Sequence, residues 1–495
     1  MKKARLWIIV MLFFAGGCSS GSDGAGTGEG DIGRFRAALD QAGFQVQDGK
    51  MLPLDIPDLF CKKVLPSCYG NNNDTPYMVY VLPPAPDQDP AVQNTFPWTY
   101  RMRPDEAVVF IGKTPPPVKY FSYKTYLAGY LVEGEPVIHR IYASLGDTVN
   151  NFRINTAGGN DPYRKLVIFI ATADRGVEAR VRAAAEQAGY GPEIMNTDVI
   201  PSTLLNMGLG LMDDELTFIH RLAFFEDAAE QAAYMKPEPV IVDGKLIEPP
   251  YEPNDRGFVL RLTPKPGREQ ALQPYSVPSL IVRGTGTTEL DRIDALEDLR
   301  EALLTRYDHL NATEYESHVW LTEGYDAIQR GIDVLGETRD TIYLRTDAFE
   351  LSDDTDDFVM VYGLIHALTG KATYSNLNIY TEDLVTDLLP LEKAINFGFM
   401  SVNSQKSAES REGMKGSANA YLPGHPDAPV LYAWKISRNC MPGEDYCLQI
   451  PESQCERLTF NKFFAAFRGY VEPGTLVGPT ASELLYDRVI HFTPK

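Results

Sequence analysis

The body of this chain lacks the short motifs that mark many enzyme active sites. After Gly30 it contains no Gly-x-Ser-x-Gly elbow, no His-Glu-x-x-His pair and no calcium loop with its glycine and terminal glutamate. The stretch 284–288 has neither the lysine of a phosphate loop nor the third glycine of a dinucleotide loop, so we expect no cofactor. In a chain of 495 residues these absences favour a non-catalytic role.

Long apolar runs and positive charge are also scarce. After Ala15, no stretch approaches the roughly 18 consecutive apolar residues of a membrane-spanning helix. The chain has 46 lysines and arginines against 67 aspartates and glutamates, which gives a formal net charge of -21. Such a surface repels nucleic acid and anionic lipid, so we expect neither as a direct partner.

One short apolar run stands at the N-terminus. Residues 1–5 include Lys2, Lys3 and Arg5, an apolar run covers 6–15, and the small residues Gly16 and Gly17 precede Cys18. The run is too short to cross a bilayer, which takes about 20 residues. A basic start, an apolar centre and a small-residue end together predict a removable export signal at residues 1–17.

This N-terminal segment resembles the signal of a bacterial lipoprotein. In that family the signal is cut just before the cysteine, which implies a lipid-modified Cys18 as the first residue of the mature chain. Several acyl chains on one residue hold a protein stably on a membrane. Ser19 implies transport to an outer membrane, whereas Ala15 departs from the leucine usual in the family.

Residues 18–30 contain no large apolar side chain, which predicts a flexible tether. Removal of residues 1–17 would take away Lys2, Lys3 and Arg5 and no acid, so the net charge would change from -21 to -24. We therefore expect a protein attached to the bacterial cell envelope through its lipid anchor.

Five cysteines follow the predicted lipidation site. Cys61 and Cys68 are seven residues apart, as are Cys440 and Cys447. Disulfides persist in exported proteins, so we predict the bridges Cys61–Cys68 and Cys440–Cys447. Cys455 is left over and could replace a partner in either bridge. The cysteine spacings match no common zinc pattern, and we expect no metal site.

The body contains a weak internal duplication, in which similar segments recur in the same order. Three pairs are predicted strands: 107–112 with 359–363, 120–126 with 374–380, and 166–172 with 430–436. A pair of predicted helices, 177–190 with 460–470, and a pair of final strands, 219–225 with 486–492, complete the order. This pattern predicts an α+β fold of two similar modules, each a mostly antiparallel sheet with one helix.

The predicted modules are residues 105–235 and 338–495. Residues 31–104 are predicted to be an N-terminal extension, and residues 236–337 a helical and proline-rich middle region. For that region we expect a hairpin at 241–247 with an Asp243-Gly244 turn, an extended connection at 249–278, and helices at 290–307 and 323–335.

Polar residues inside apolar strands are the candidate functional residues. Alternation places His220 among large apolar neighbours, with Arg221 on the opposite face. The duplication pairs these two residues with Asp487 and Arg488. We expect Arg221 and Arg488 to form ion pairs that join the two copies.

His366 lies near the end of a predicted strand, before a Thr-Gly turn, where an imidazole could act as a general acid or base. Tyr374 and Tyr380 on the next strand could share its hydrogen bonds. A histidine on an apolar strand face is more often a core residue, so a structural role for His366 and His220 is the stronger hypothesis.

Three roles stay open for the whole chain. The favoured one is non-catalytic binding, or another envelope role, with a small molecule or an envelope protein as the unknown partner. An envelope hydrolase or isomerase would need His366, a tyrosine and an arginine or acid in one deep pocket. An assembly protein would need a large exposed apolar patch.

Overall fold

The structure is a computed structural model that describes residues 30–65, 68, 70–135, 138–159, 161–235, 240–242, 245–247, 257–384, 394–406, 413–452, 455 and 460–495. The predicted signal, Cys18 and the Asp243-Gly244 turn lie outside these residues. The helices are α1 (Ile32–Gln41), α2 (Ile56–Cys61), α3 (Arg175–Gln187), α4 (Ala228–Tyr234), α5 (Ile293–Arg306), α6 (Gly324–Arg330) and α7 (His366–Thr369). Within the described ranges, no helix combines the length and apolar character needed to cross a membrane.

The strands outnumber the helices and fall into two halves of the chain. The first half contains β1 (Phe44–Leu54), β2 (Tyr77–Val81), β3 (Thr99–Tyr100), β4 (Ala107–Lys113), β5 (Val118–Tyr130), β6 (His139–Ser144), β7 (Val149–Asn150), β8 (Leu166–Thr172), β9 (Met195–Val199), β10 (Glu215–Phe225), β11 (Val240–Val242), β12 (Lys245–Ile247) and β13 (Phe258–Pro264). The second half contains β14 (Asn311–Val319), β15 (Thr341–Thr346), β16 (Phe349–Glu350), β17 (Phe358–Leu364), β18 (Tyr374–Leu384), β19 (Ala394–Asn403), β20 (Leu431–Ser437), β21 (Cys447–Gln449), β22 (Lys462–Tyr470) and β23 (Arg488–Thr493).

The two halves form two sheets with the same strand order. The first sheet runs β6-β5-β10-β2-β1-β13-β4-β8-β9, and the second runs β19-β18-β22-β15-β14-β23-β17-β20-β21. Equivalent strands also follow one another in the same order along the chain. Each sheet is antiparallel except for its last pair, β8 with β9 and β20 with β21. The matching orders confirm two similar sheet modules.

One predicted helix is wrong. Most of residues 460–470 form strand β22, in which every residue after Lys462 is buried. A strand buried on both faces is apolar throughout, and such a run cannot be distinguished from a buried helix by composition alone. In strand order β22 is the equivalent of β10, and β23 is the equivalent of β13. The predicted pairing of 219–225 with 486–492 is therefore wrong as well.

Strands outside the predicted module limits belong to the sheets. β1 and β2, from the predicted N-terminal extension, lie between β10 and β13 in the first sheet. β13, from the predicted extended connection at 249–278, pairs with β1 and β4. β14, also from the predicted middle region, lies between β15 and β23. Of that region, β11 and β12 form the expected hairpin.

Each sheet carries a helix in front of its first strand. α1 packs on the first sheet with α3, through Phe35, Leu39 and Val181. α5 packs on the second sheet through Leu296, Leu299 and Leu303, along one helical face as its apolar spacing indicates. The predicted helix at 323–335 is shorter, because α6 ends before Gly331, which has a φ of 65°.

The parallel pair at the end of each sheet is connected differently in the two halves. In the first sheet α3 connects β8 to β9. In the second, the link from β20 to β21 has no helix and contains the disulfide Cys440–Cys447. This predicted bridge is confirmed, and it closes a short link where the first half uses a helix.

The other predicted bridge, Cys61–Cys68, is wrong. Cys61 at the end of α2 pairs with Cys455, and their Cα atoms are 5.5 Å apart. Cys68 is buried without a disulfide. Sequence spacing favoured a local pair, whereas the fold brings α2 onto the second module, beside β19.

A shared core joins the two modules. One buried cluster contains Phe60 and Leu65 from the first half together with Leu377, Phe399 and Trp434 from the second. The segment between β1 and β2 therefore packs into the second module. The equivalent segment between β14 and β15 packs the other way, with α6 against β6 of the first module. The two modules exchange equivalent segments.

Candidate ligand site between the two sheets

Strand register identifies the equivalent arginines of the two copies. Arg221 on β10 lies opposite Tyr77 on β2 and Ser122 on β5. Arg468 on β22 lies opposite Tyr343 on β15 and opposite Asn376 on β18. Arg468 is therefore the counterpart of Arg221. The sequence-based pairing of Arg221 with Arg488, and of His220 with Asp487, is wrong because it followed local composition.

The backbone repeats an uncommon bend after each arginine. Phe224 and Val471, three residues after the two arginines, have φ values of 58° and 48°. Positive φ is costly for bulky and β-branched side chains. The same bend at both places supports the equivalence of Arg221 and Arg468.

The exchanged segments end in a sequence motif that occurs twice. Residues 70–77 and 336–343 both read Gly-x-x-x-Asp-Thr-x-Tyr. In each, the residue two after the glycine donates its backbone N–H to the tyrosine hydroxyl, over 2.9 Å from Asn72 to Tyr77 and 2.9 Å from Thr338 to Tyr343. The motif was present in the sequence and was the signal that could have found the site.

Each arginine binds the motif of the other half. Arg468 donates from Nη2 to the carbonyl oxygen of Gly70 over 2.9 Å, and Arg221 donates from Nη2 to the carbonyl oxygen of Gly336. Arg221 also donates from Nη1 to the hydroxyl of Tyr126. These reciprocal bonds hold both guanidinium groups between the sheets.

The aspartates of the motif are bound in the same reciprocal way. Tyr374 donates its hydroxyl proton to Asp74 over 2.7 Å, and its equivalent Tyr120 donates to Asp340 over 2.9 Å. The pKa of Asp340 is raised, because the effect of burial outweighs that of its hydrogen bonds from Thr148, Tyr120 and Asn150, which lower it. These carboxylates accept hydrogen bonds from hydroxyl and amide groups and not from the two arginines.

A central cavity lies between these groups. Its volume is about 60 Å³, and the empty space including its opening is about 680 Å³. Both arginines line it with four tyrosines, Tyr77, Tyr142, Tyr343 and Tyr470. The remaining lining residues are Leu54, Ile56, Leu65, Gly70, Val79, Trp98, Thr217, Ile219, Leu335 and Gly336. The described lining therefore includes no acid, histidine or cysteine.

Three of the cavity tyrosines have raised hydroxyl pKa values. Burial raises the pKa of Tyr142, Tyr343 and Tyr470. These side chains are neutral at physiological pH, and the arginines cannot be deprotonated there. The charge on the cavity wall is therefore positive.

The two cavity arginines differ from every other buried arginine or lysine in the described part of the molecule. The other buried arginines each lie beside an acid: Arg101 with Glu215 at 3.0 Å, Arg261 with Glu106 at 2.8 Å and Arg339 with Asp147 at 2.9 Å. The buried lysines do the same: Lys124 with Asp198, Lys371 with Glu472 and Lys435 with Glu444. Arg221 and Arg468 are buried, and neither has a carboxylate oxygen within 4.0 Å among the described residues.

Two open clefts flank the cavity. The larger, of about 870 Å³, shares Leu54, Ile56 and Tyr77 with the cavity lining. The smaller, of about 320 Å³, shares Tyr343 with it. Since Tyr77 and Tyr343 are equivalent residues, each stands between the cavity and the cleft on its own side.

His366 does not line any of these spaces. It begins α7 and is 3 % exposed, with its Nδ1 2.9 Å from Glu289 and its Nε2 3.5 Å from Asp487. Burial alone would lower the pKa of His366, but the two carboxylates outweigh it and raise the pKa to about 10. The imidazole is a buried cation in an ionic cluster, which Tyr432 extends by donating to Asp487 over 2.7 Å.

His220 is also placed in a core. Its Nδ1 is 3.0 Å from the carbonyl oxygen of Ser122, and its Nε2 is 3.1 Å from the hydroxyl of Tyr234. The ring stacks on Tyr123 with centroids 4.1 Å apart. Burial lowers the pKa of His220 to about 3, so the ring is neutral at physiological pH.

The remaining candidate residues occupy separate places. Tyr380 donates to the carbonyl oxygen of Asn71 over 2.5 Å, and Tyr374 binds Asp74, so both hold the exchanged segment. Arg488 pairs with Glu297 at 2.7 Å, away from the cavity lining. In the described part of the chain, the group of possible metal ligands is Cys440, Glu444 and Cys447, and the disulfide occupies both sulfurs.

Comparisons with known proteins do not place the chain in a family. No protein family model matches the chain, and no curated protein matches it. Among solved structures, the chain is similar to an uncharacterized protein from Burkholderia cenocepacia, at 11 % identity and a TM-score of 0.37, over 92 % of this chain and 86 % of that one. A likeness this low says nothing about function.

Proposed function

We propose that this protein is a lipid-anchored binding protein of the bacterial cell envelope, which holds a small molecule in the central cavity and carries out no reaction on it. The supporting observation is the cavity lining, in which equivalent arginines and tyrosines meet among apolar side chains. Mostly apolar pockets with a few convergent polar groups are the usual form of small-molecule sites. The described lining offers no histidine, cysteine or acid as a base or nucleophile, which favours binding over catalysis.

A substitution that fills the cavity tests this function. The full mature chain, carrying Cys18→Ser so that it is not acylated, is screened by thermal unfolding against neutral, cationic and anionic small molecules. We expect some compounds to raise the Tm of this chain and to lose that effect with Ile219→Trp, because Ile219 lines the cavity. Leu290→Trp is the matched control, since Leu290 is 53 % exposed. A folded chain that no compound of any charge class stabilises would contradict the function.

The envelope location has its own test. In cells supplied with a labelled fatty acid, we expect the wild-type chain to carry label and to sediment with membranes. Cys18→Ser should lose both properties, while Ser20→Ala, which keeps the cysteine, should retain them. Membrane association without label would refute lipidation at Cys18.

A further inference from the structure

We propose that the ligand of the central cavity is a small carboxylate with an apolar body, whose carboxylate is bound by Arg468 and Arg221. This inference rests on the proposed function, because it names the chemistry of the ligand in that same cavity. The described lining has two guanidinium groups and no carboxylate, so positive charge is what a ligand meets there.

The first reason for an anionic ligand is that the cavity arginines have no carboxylate paired with them. The other buried cations of the described chain are each paired with an acid, as Arg261 is with Glu106 at 2.8 Å. A charge that is buried without a partner costs several kcal/mol, and an arginine cannot avoid that cost by losing its proton. A bound anion would give the cavity arginines the partner that the chain supplies elsewhere.

Arg468 has a free donor for this purpose. Its Nη1 atom is buried and makes no hydrogen bond of normal distance and angle in the described chain, although the guanidinium lies 5.7 Å from the ring centroid of Tyr380, the counterpart of Tyr126. Arg221, by contrast, uses both terminal nitrogens, one on Tyr126 and one on the carbonyl oxygen of Gly336. We therefore assign the direct contact with the ligand chiefly to Arg468, and a supporting charge to Arg221.

The two copies also differ in the residue that follows the motif glycine. Glu337 follows Gly336; burial raises the pKa of this carboxyl group, and Arg221 lies close enough for its positive charge to lower it. The equivalent residue after Gly70 is Asn71, which is neutral. The half of the cavity that contains Arg468 thus lacks the nearby acid that the other half has, which favours an anion at Arg468.

The residues that line the cavity indicate the chemistry of the part of the ligand beyond its carboxylate. A guanidinium group binds a carboxylate with two parallel hydrogen bonds. Apart from the arginines, Thr217 and the tyrosine hydroxyls, the lining is mostly apolar or aromatic, with Trp98, Val79 and Leu335 among its members. An alkyl or aromatic body would pack on these walls, whereas inorganic phosphate has no apolar group to place against them.

The volume limits the size of this ligand. A cavity holds roughly one water-sized group per 10–15 Å³. A volume of about 60 Å³ therefore corresponds to about four to six such groups before the opening is counted. Short aliphatic acids and a single-ring aromatic acid extending into the opening are in this range.

Calorimetry with matched probes tests the charge and the body separately. The probes are butyrate and benzoate, their neutral analogues butyramide and benzamide, acetate, and inorganic phosphate, titrated into the full mature chain with Cys18→Ser. We expect butyrate or benzoate to bind one per chain and its amide to bind about 30-fold more weakly or worse, because a buried charge pair is lost. Acetate and phosphate should bind more weakly than both acids.

Variants assign the contact to Arg468. Arg468→Met keeps an apolar stem and should lose the preference for acid over amide, whereas Arg488→Met, which removes an arginine outside the cavity, should keep it. If Arg468→Met does not fold, the acid-to-amide ratio of the Cys18→Ser chain still decides the charge. Equal binding of acid and amide, or phosphate binding as tightly as the acids, would overturn the inference while leaving a binding protein. Absence of binding by compounds of every charge class would instead refute the proposed function.

Discussion

His366 and His220 hold opposite charge states in the same protein. His366 is a buried cation between Glu289 and Asp487, whereas His220 is a buried neutral ring between Ser122 and Tyr234. Their folded-state pKa values, about 10 and about 3, lie on opposite sides of the ordinary value of 6.5. Each histidine should therefore make stability depend on pH in a different range and with a different sign.

We expect His366→Ala to lower the free energy of unfolding by about 3–5 kcal/mol at pH 6, since it leaves two buried carboxylates without their cation. The folded pKa is raised, so the contribution of His366 is complete below the unfolded value of 6.5 and is lost as pH rises through about 10. Urea unfolding at pH 6, 8 and 10 measures this, with His309→Ala on an exposed histidine as the control. A small cost that does not change with pH would show that the imidazole is not the cation of this cluster.

For His220, the residue at the equivalent position of the second module suggests a substitution. Its register equivalent is Phe467, which faces Leu377 as His220 faces Tyr123. We expect His220→Phe to cost about 1–3 kcal/mol at pH 7.5, because Ser122 and Tyr234 lose a partner. The folded pKa is lowered, so the wild type loses stability as pH falls from 6.5 towards 3, and the variant does not share that loss. The gap between the two should narrow at pH 4.5, and an unchanged gap would contradict a neutral buried ring.

Among the elements, the two disulfides close chain loops of very different length. Cys61–Cys455 spans 394 residues and joins the modules, while Cys440–Cys447 spans 7 residues within one link. In the chain-entropy account, a longer loop gives more stabilisation, about 6 kcal/mol for the first bridge against about 2–3 kcal/mol for the second. We expect the double serine variant of Cys61 and Cys455 to unfold at lower urea than that of Cys440 and Cys447. Peptide mass spectrometry without reduction checks the pairing, and a Cys61–Cys68 peptide would contradict it.

Local patterns predicted individual strands well and the relation between the copies poorly. The apolar and tyrosine-bounded runs at 107–112, 120–126 and 374–380 are strands because their residues pack on both faces of a sheet. The helix predicted at 460–470 failed for the same reason, since a strand buried on both faces has no alternating pattern. The Cys61–Cys455 bridge depends on a segment exchanged between modules, which no local spacing reports.

The cavity was missed because the arginines were aligned by neighbouring aromatic residues. Arg221 and Arg488 both precede a run of apolar side chains, so composition alone pairs them. Strand register instead pairs Arg221 with Arg468. The repeated Gly-x-x-x-Asp-Thr-x-Tyr motif at 70–77 and 336–343 was the visible sign of that register.

For the whole molecule, the exchange of segments makes each module depend on the other. Tyr120 of the first module binds Asp340 of the second, and Tyr374 of the second binds Asp74 of the first. A separate half would leave these buried donors and acceptors unpaired, at a cost of about 1–3 kcal/mol for each group. The shared core between Phe60 and Trp434 would also be exposed to water.

We therefore expect the fragments 31–276 and 277–495 to lack a cooperative unfolding transition when expressed alone, and to form a folded complex when expressed together. The control is the full chain with a protease site placed after Ser276 and cut once folded, which should keep its transition. Circular dichroism during urea unfolding measures both. A single fragment that unfolds cooperatively would contradict the mutual dependence of the modules.

The two equivalent sheets exchange equivalent segments. This is the arrangement of a segment-swapped homodimer whose subunits have been fused into one chain. In a homodimer every substitution appears twice, and a site on the symmetry axis must be the same from both sides. Fusion removes that constraint. Asn71 lines the cleft beside Tyr77, and Glu337 lines the cleft beside Tyr343, so the two sides of the cavity open towards different charges. We therefore expect a molecule that extends from the cavity to be held in one direction.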